Sequence, residues 1–348
     1  MNNTGEIPIF FIIGRPRTGT TLLRTLFDAH PNVIIPWECQ FIINLYPRYH
    51  RISNWSTSDL ESFYDDLLEQ WLFKLWTIDY DKLKSDLLAC AGENSFSNVC
   101  KVVHGNYNSF YEKKELKLFG DKNPGYTIYV DRLKKIYPEA KFIFINRDYR
   151  DNFFSIKKVD FELPVASLVV YKWKYFFRQA LKAKAKYPES FYILRYEDFV
   201  SDPDFHFKHL CDFLGIDFLP EVFDFYKKGK DVNKIFKTER AKRNHASLLN
   251  PINSTRTGVW KKELSKKEIR IADAVAGKYA EGAGYQREFK KASLFTLLQA
   301  IPGVFYARFL YFMTAVINNF PYKLRATLLN KGPLFIARSY LNLFRNKK

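Results

Sequence analysis

The chain predicts an α/β fold: a P-loop-like, doubly wound parallel sheet flanked by helices, carrying a helical, basic C-terminal extension. Three observations predict it. Short apolar runs end in sharp turns, as strands buried on both faces do. Helical periodicities alternate with those runs, the pattern of a parallel sheet. The first run also opens, through a glycine- and threonine-rich turn, straight into a helix.

The elements follow in order. Ile7 to Ile13 is continuously apolar and stops at Gly14, so it reads as a buried strand. Thr20 to Ala29 carries Leu22, Leu23, Leu26 and Phe27 at helical spacing, and Asn32 to Pro36 reads as a second strand. Asp59 to Trp76, Asp81 to Ala91 and Phe96 to Phe110 read as helices. Leu116 to Phe119 reads as a short strand before Gly120, Tyr129 to Tyr137 as a helix, and Lys141 to Ile145 as a strand with another sharp ending. A long basic helix over Leu168 to Tyr187 and a strand over Phe191 to Leu194 complete the series. The domain is expected to occupy 1–287. Residues 288–348 form the extension, where Pro302-Gly303 is expected to break an apolar stretch and leave Phe309 to Ile317 too short to span a bilayer.

Charge narrows the partners. The net charge is +18, but residues 290–348 hold ten Lys and Arg and no acid, leaving only +8 on the first 289 residues. A uniformly basic nucleic-acid binder is therefore a poor description, and nucleic acid is not an expected partner. The basic tail suits either packing over the domain as an acceptor-pocket cover or contact with an anionic membrane surface. Cys39, Cys90, Cys100 and Cys211 show no CxxC spacing, and the six His form no HxH or HxxxH pair, so no metal is expected. The polar start MNNTGEIP lacks a basic, apolar leader, which places the expected location in the cytoplasm, with possible membrane association.

Arg15, Pro16, Arg17, Thr18, Gly19, Thr20 and Thr21 follow the first strand and open the first helix. Backbone amides and the helix dipole converge there on an anion. The spacing matches GxxxxGK[ST], except that Thr20 stands where a P-loop carries lysine. A triphosphate needs that lysine, so a kinase or NTPase is the weaker alternative. A non-enzymatic membrane or nucleic-acid binder is the other.

The run GRPRTGTTLLRTLFDAHP resembles the 5′-phosphosulfate loop of the sulfotransferases that use 3′-phosphoadenosine-5′-phosphosulfate (PAPS). It is nearest to their bacterial branch and tyrosylprotein relatives. The likeness continues to about residue 285. It implies a sulfuryl transfer from PAPS to an acceptor hydroxyl, releasing adenosine 3′,5′-bisphosphate (PAP). Arg147 and Ser155, in a strand-RDxRxxxxS pattern, are implied to hold the 3′-phosphate, where the planar fork of arginine suits bidentate contacts. Asp148 and Asp151 read as caps of the helix that starts there. Tyr196 in RYED is implied to neighbour the adenine. Arg256, Thr257 and Gly258, in an RxGxW loop ending at Trp260, are implied to close over the nucleotide.

For the chemistry, Glu38 is the expected base, at the end of the second strand. The tyrosylprotein relatives carry a paired acidic motif here; this chain has Trp37 at the first acid and keeps the second. Lys122, in the DKxP-like run Asp121-Lys122-Asn123-Pro124, is expected to reach the bridging oxygen, with Arg17 holding the sulfonate from the other side. His104 is the rival base, on an apolar helix face. Segments 40–60 and 156–166 and the tail are rich in apolar residues and poor in acids, favouring a small lipophilic alcohol such as a sterol or lipid as acceptor. A carbohydrate or a tyrosine remains an alternative.

Overall fold

The computed structural model describes residues 5–159, 161–228 and 246–318, together with 320, 322 and 324. The strands are β1 (Ile9–Gly14), β2 (Val33–Ile34), β3 (Asn54–Trp55), β4 (Gly92–Glu93), β5 (Leu118–Lys122), β6 (Lys141–Asn146) and β7 (Phe191–Arg195). The helices are α1 (Thr20–Ala29), α2 (Phe41–Tyr49), α3 (Thr57–Leu68), α4 (Tyr80–Leu88), α5 (Phe96–Gly105), α6 (Val130–Ile136), α7 (Tyr149–Lys157), α8 (Ala166–Lys186), α9 (Tyr196–Ser201) and α10 (Pro203–Leu214). After them come α11 (Trp260–Glu263), α12 (Lys266–Ala276), α13 (Lys278–Gly282) and α14 (Leu294–Ile317).

The chain divides into two compact units, Met1–Ile145 with Lys182–Asn253, and Asn146–Leu181 with Ser254–Lys348. In the first, the sheet order is β2-β5-β1-β6-β7, and β1 pairs in parallel with both β5 and β6. Every residue of β1 is buried, as its unbroken apolar run requires. Phe11 stacks on Phe142 of β6 and meets Tyr126 and Tyr137, while Phe10 meets Phe27 of α1. Each such ring contributes roughly 1.5–3 kcal/mol by leaving water. Because β2 and β5 also pair in parallel, the turns after β1, β2 and β5 leave from one edge. That edge is where open α/β sheets bind ligands.

The expected strands and the first helix are present, with boundaries shifted by at most three residues. The helix expected over Asp59 to Trp76 is shorter. It starts on a Ser56/Asp59 capping box and ends at Leu68. The following apolar residues fold instead into a tight turn, Phe73–Leu75, entered through Leu72 at φ 69°, which buries Phe73 and Trp76.

In the second unit, α12 packs on α7 and α14, and the buried Asp273 on α12 accepts from the Tyr149 hydroxyl and the Phe289 amide. The break expected at Pro302-Gly303 does not occur: α14 runs through it for 24 residues. Gly303 acts there as a packing notch, since a Cβ would lie 2.2 Å from Ser167 Oγ. Neighbouring chain occupies the space where a side chain would stand, so the helix is held across its proline. Residues 325–348 of the extension lie outside the described residues.

Candidate active site

The turn after β1 is shaped by its own polar groups. The Gly14 amide donates to Thr127 Oγ1 at 3.0 Å, tying the end of β1 to the segment after β5. Thr18, fully buried, donates its hydroxyl to Arg15 O at 2.7 Å, so this side chain closes the turn on itself. Arg17 is left-handed at φ 70°, a costly state for a non-glycine residue that persists where surroundings impose it. Gly19 is left-handed at φ 103°, and a Cβ on it would sit 2.5 Å from the Tyr196 ring. Only glycine meets both demands. The same contact places Tyr196 directly on the turn.

α1 begins at Thr20 with no side-chain cap and no acid in its first turn. Among the described residues no side chain caps this end, which leaves amides for an anion at the helix N-terminus. Pro16, Arg17, Gly19 and Thr21 are half-exposed, whereas Arg15 and Thr20 are buried.

The proposed base and lysine are an ion pair. Lys122 Nζ donates to Glu38 Oε2 at 2.8 Å, with the ammonium side chain 5% exposed and the carboxylate side chain 34% exposed. The cation is thus walled in by protein while the carboxylate side chain is partly open to solvent. Asn123 fixes the pair's two backbones together, since its amide donates to Cys39 O at 3.1 Å and to Asp121 Oδ1 on β5.

Beneath Glu38 lies a buried network that sequence reasoning missed. Arg24 is fully buried, pairs with Asp28 at 3.0 Å, and donates to Pro36 O and the Tyr107 hydroxyl. Burial opposes its charge, but Asp28 and then Tyr107 outweigh that and hold the guanidinium above its ordinary pKa. Its plane covers the Trp37 ring at 4.2 Å, and Trp76 Nε1 donates to Trp37 O at 2.7 Å. Trp37 therefore faces the core and leaves Glu38 as the acid of this segment. Breaking a buried pair like Arg24–Asp28 from one side costs about 3–5 kcal/mol, so the segment is held firmly. The arginine in the helical stripe after the turn was the visible signal.

His104 is placed differently. It has no exposed surface, bonds Cys100 O through Nδ1 at 2.9 Å, and faces Asp121 Oδ2 through Nε2 at 3.4 Å. Phe41, Trp76 and Phe119 surround its ring. It is sealed in the core, out of reach of a substrate.

In the second unit, Arg147 and the late loop come together. Arg147 Nη2 donates to Arg256 O at 2.5 Å, and Trp173 Nε1 donates to Arg147 O at 2.9 Å. Asp148 caps α7 through the Arg150 amide and also holds the Arg150 guanidinium, which lies 3.7 Å from the Trp260 ring centre. Asp151 does something other than cap. Its two oxygens accept from the Gly258 amide at 2.7 Å and the Trp260 amide at 2.9 Å, fastening the loop to α7. Burial lifts its carboxyl above the ordinary range, and the Trp260 bond pulls it back. Thr257 donates to Ser254 O and shapes the turn, Gly258 is left-handed at φ 67°, Arg256 is exposed, and Ser155 is half-buried on α7.

A glycine- and threonine-rich turn follows β1 on a parallel sheet of P-loop-like architecture, and a carboxylate paired with a buried ammonium stands on the adjoining strand. The chain belongs to the Sulfotransferase family, whose model matches residues 8–220. It is 28% identical over 221 residues to protein-tyrosine sulfotransferase 1 of Danio rerio, a match covering 61% of this chain and 54% of that one. It is 31% identical over 177 residues to the protein-tyrosine sulfotransferase of Drosophila melanogaster, covering 49% and 30%. The chain thus spans about half or less of these relatives' lengths. In fold it resembles the sulfotransferase domain of the Synechococcus PCC 7002 olefin synthase, with a TM-score of 0.51 and 19% identity over 77% of this chain and 94% of that one. The sulfotransferase domain from the curacin biosynthetic pathway gives 0.50 and 21%, covering 80% and 98%.

Proposed function

We propose that this protein is a sulfotransferase that moves the sulfuryl group of PAPS to an acceptor hydroxyl by in-line displacement. The observation that carries the reading is the Glu38–Lys122 pair, a half-exposed carboxylate on a buried ammonium at the sheet edge where β1 opens into its anion turn. The acceptor oxygen attacks sulfur as its proton passes to Glu38. The bond from sulfur to the 5′-phosphate oxygen breaks, and its electron pair stays on that oxygen, releasing PAP. Lys122 meets the charge growing on the leaving oxygen, and Arg17 holds the sulfonate. A positioned base contributes about 10²–10⁴-fold, and preorganised cations supply a comparable or larger share.

Amides and side chains of Arg15 to Thr21 bind the 5′-phosphate. Arg147 and Ser155 bind the 3′-phosphate, with Arg256, Thr257 and Gly258 closing over the nucleotide. Asp151, by fastening Gly258 and Trp260, supports that loop. Tyr196 neighbours the adenine, a role supported by its ring lying against Gly19. No step requires a metal, because the transferred group carries a single charge.

The acceptor we favour is a lipophilic alcohol. The apolar residues of 41–49 no longer support this, since Phe41, Ile42, Ile43, Leu45 and Tyr49 are core. Phe161, 51% exposed, and Val165, 45% exposed, still do. The names of the relatives favour a second reading, a protein tyrosine. Thermal melting decides the donor. PAP stabilises the protein, by about 2.7 kcal/mol at 100 times its Kd. Stabilisation by ATP and Mg²⁺ alone would instead establish a kinase. Labelled PAPS offered with sterols, phenols, sugars and tyrosyl peptides then separates the acceptors.

A further inference from the structure

Helix α14 has one face seated and one face bare. Thr296, Ala300, Gly303 and Ala307 recur at helical spacing and are buried, a row of small residues that lets α14 lie close on α12 and on the start of α8. Opposite that row, Leu294, Leu298, Ile301, Phe305, Phe309 and Phe312 follow one another three or four residues apart. Their exposures are 74, 54, 56, 70, 48 and 64%. Phe295 and Leu297 widen the stripe. The helix is about 36 Å long at 1.5 Å per residue, so this is a continuous apolar surface, well beyond the scattered side chains a soluble surface carries.

Its border is cationic. Lys290 and Lys291 precede the helix and are exposed, and Arg308 at the edge of the stripe is exposed and bonded to the Tyr171 hydroxyl. Nearby, Lys174 Nζ donates to Val275 O on α12, the helix that α14 packs on. From Lys290 to Lys348 the sequence holds ten Lys and Arg without one acid.

We propose that this face is an in-plane docking surface for an anionic lipid bilayer. An apolar stripe of Phe, Leu and Ile takes up acyl-chain contact, and the cations beside it meet lipid phosphates. By length and composition α14 would suffice to cross a membrane, yet its small-residue row is occupied by α12 and α8. Spanning would strip that seat, so the helix lies along the surface with its bare face in the headgroup region. A protein partner fits less well, because the stripe offers no hydrogen-bonding group for specificity along its length. The inference does not depend on the donor or the acceptor.

The test uses the full chain and vesicles of phosphatidylcholine alone or with about a third phosphatidylglycerol. The wild type is expected to co-sediment with the anionic vesicles and much less with the neutral ones. Replacing three of the exposed phenylalanines together (Phe305→Gln, Phe309→Gln, Phe312→Gln) is expected to lower partitioning ~10-fold or more with an unchanged melting temperature. Lys290→Glu with Lys291→Glu is expected to weaken binding to anionic vesicles only, by about tenfold. Wild type that ignores both vesicle types overturns the proposal. So does a triple variant that binds as well as wild type. A wild type that self-associates while the triple variant is monomeric, with no vesicle binding by either, assigns the face to a second copy and also overturns it.

Discussion

Two acid–base pairs meet on strand β5, one residue apart, and they make opposite uses of the same chemistry. Asp121 and Lys122 are neighbours, so their side chains leave the strand on opposite faces. Asp121 meets His104 inside the core, where His104 has no exposed surface and three aromatic rings surround it. Lys122 meets Glu38 at the sheet edge, where the carboxylate stands a third exposed. What separates the two pairs is solvent access of one partner, since both contain a group able to accept a proton. The histidine is the commoner general base in enzymes, yet of the two groups only the carboxylate has solvent-exposed surface.

The largest effect that would break this comparison is expected at Lys122. Lys122→Met keeps the aliphatic stem and removes the charge, so turnover should fall by about 10²-fold or more while PAP still stabilises the protein. A variant with normal turnover would leave the pair without a chemical role. A smaller effect of another kind is expected from His104→Leu. It removes the His104 Nδ1 bond to Cys100 O and the 3.4 Å contact with buried Asp121, so it should lower stability by roughly 1–3 kcal/mol, read as a drop in melting temperature. Turnover per folded molecule should stay near that of the wild type. If turnover vanished and stability held, the two pairs would have to exchange roles.

Much of this was legible in the sequence. The unbroken apolar run, the glycine turn and the leucine spacing after it are local features, and β1, the anion turn and α1 follow from them. Glu38 and Lys122 each stand in a sequence motif of their own, 84 residues apart, and the fold brings them to 2.8 Å. Other features depend on contacts distant in sequence. Arg24 stands four residues before Asp28 on one helix, a local spacing, but nothing local indicates that Tyr107 and Pro36 O would join them. Asp151 read as a helix cap because carboxylates favour that position, but amides more than a hundred residues later claim both of its oxygens. Pro302-Gly303 read as a break because propensity is local, while the notch against Ser167 that holds α14 through it is tertiary.

The central claim is that Glu38 takes the proton from the acceptor while the nucleotide is held elsewhere. Glu38→Gln keeps the shape and the hydrogen bonding and removes the base. Measured side by side, PAP affinity should be unchanged and transfer from labelled PAPS should fall by about 10²-fold or more. Full transfer by the glutamine variant would contradict the account.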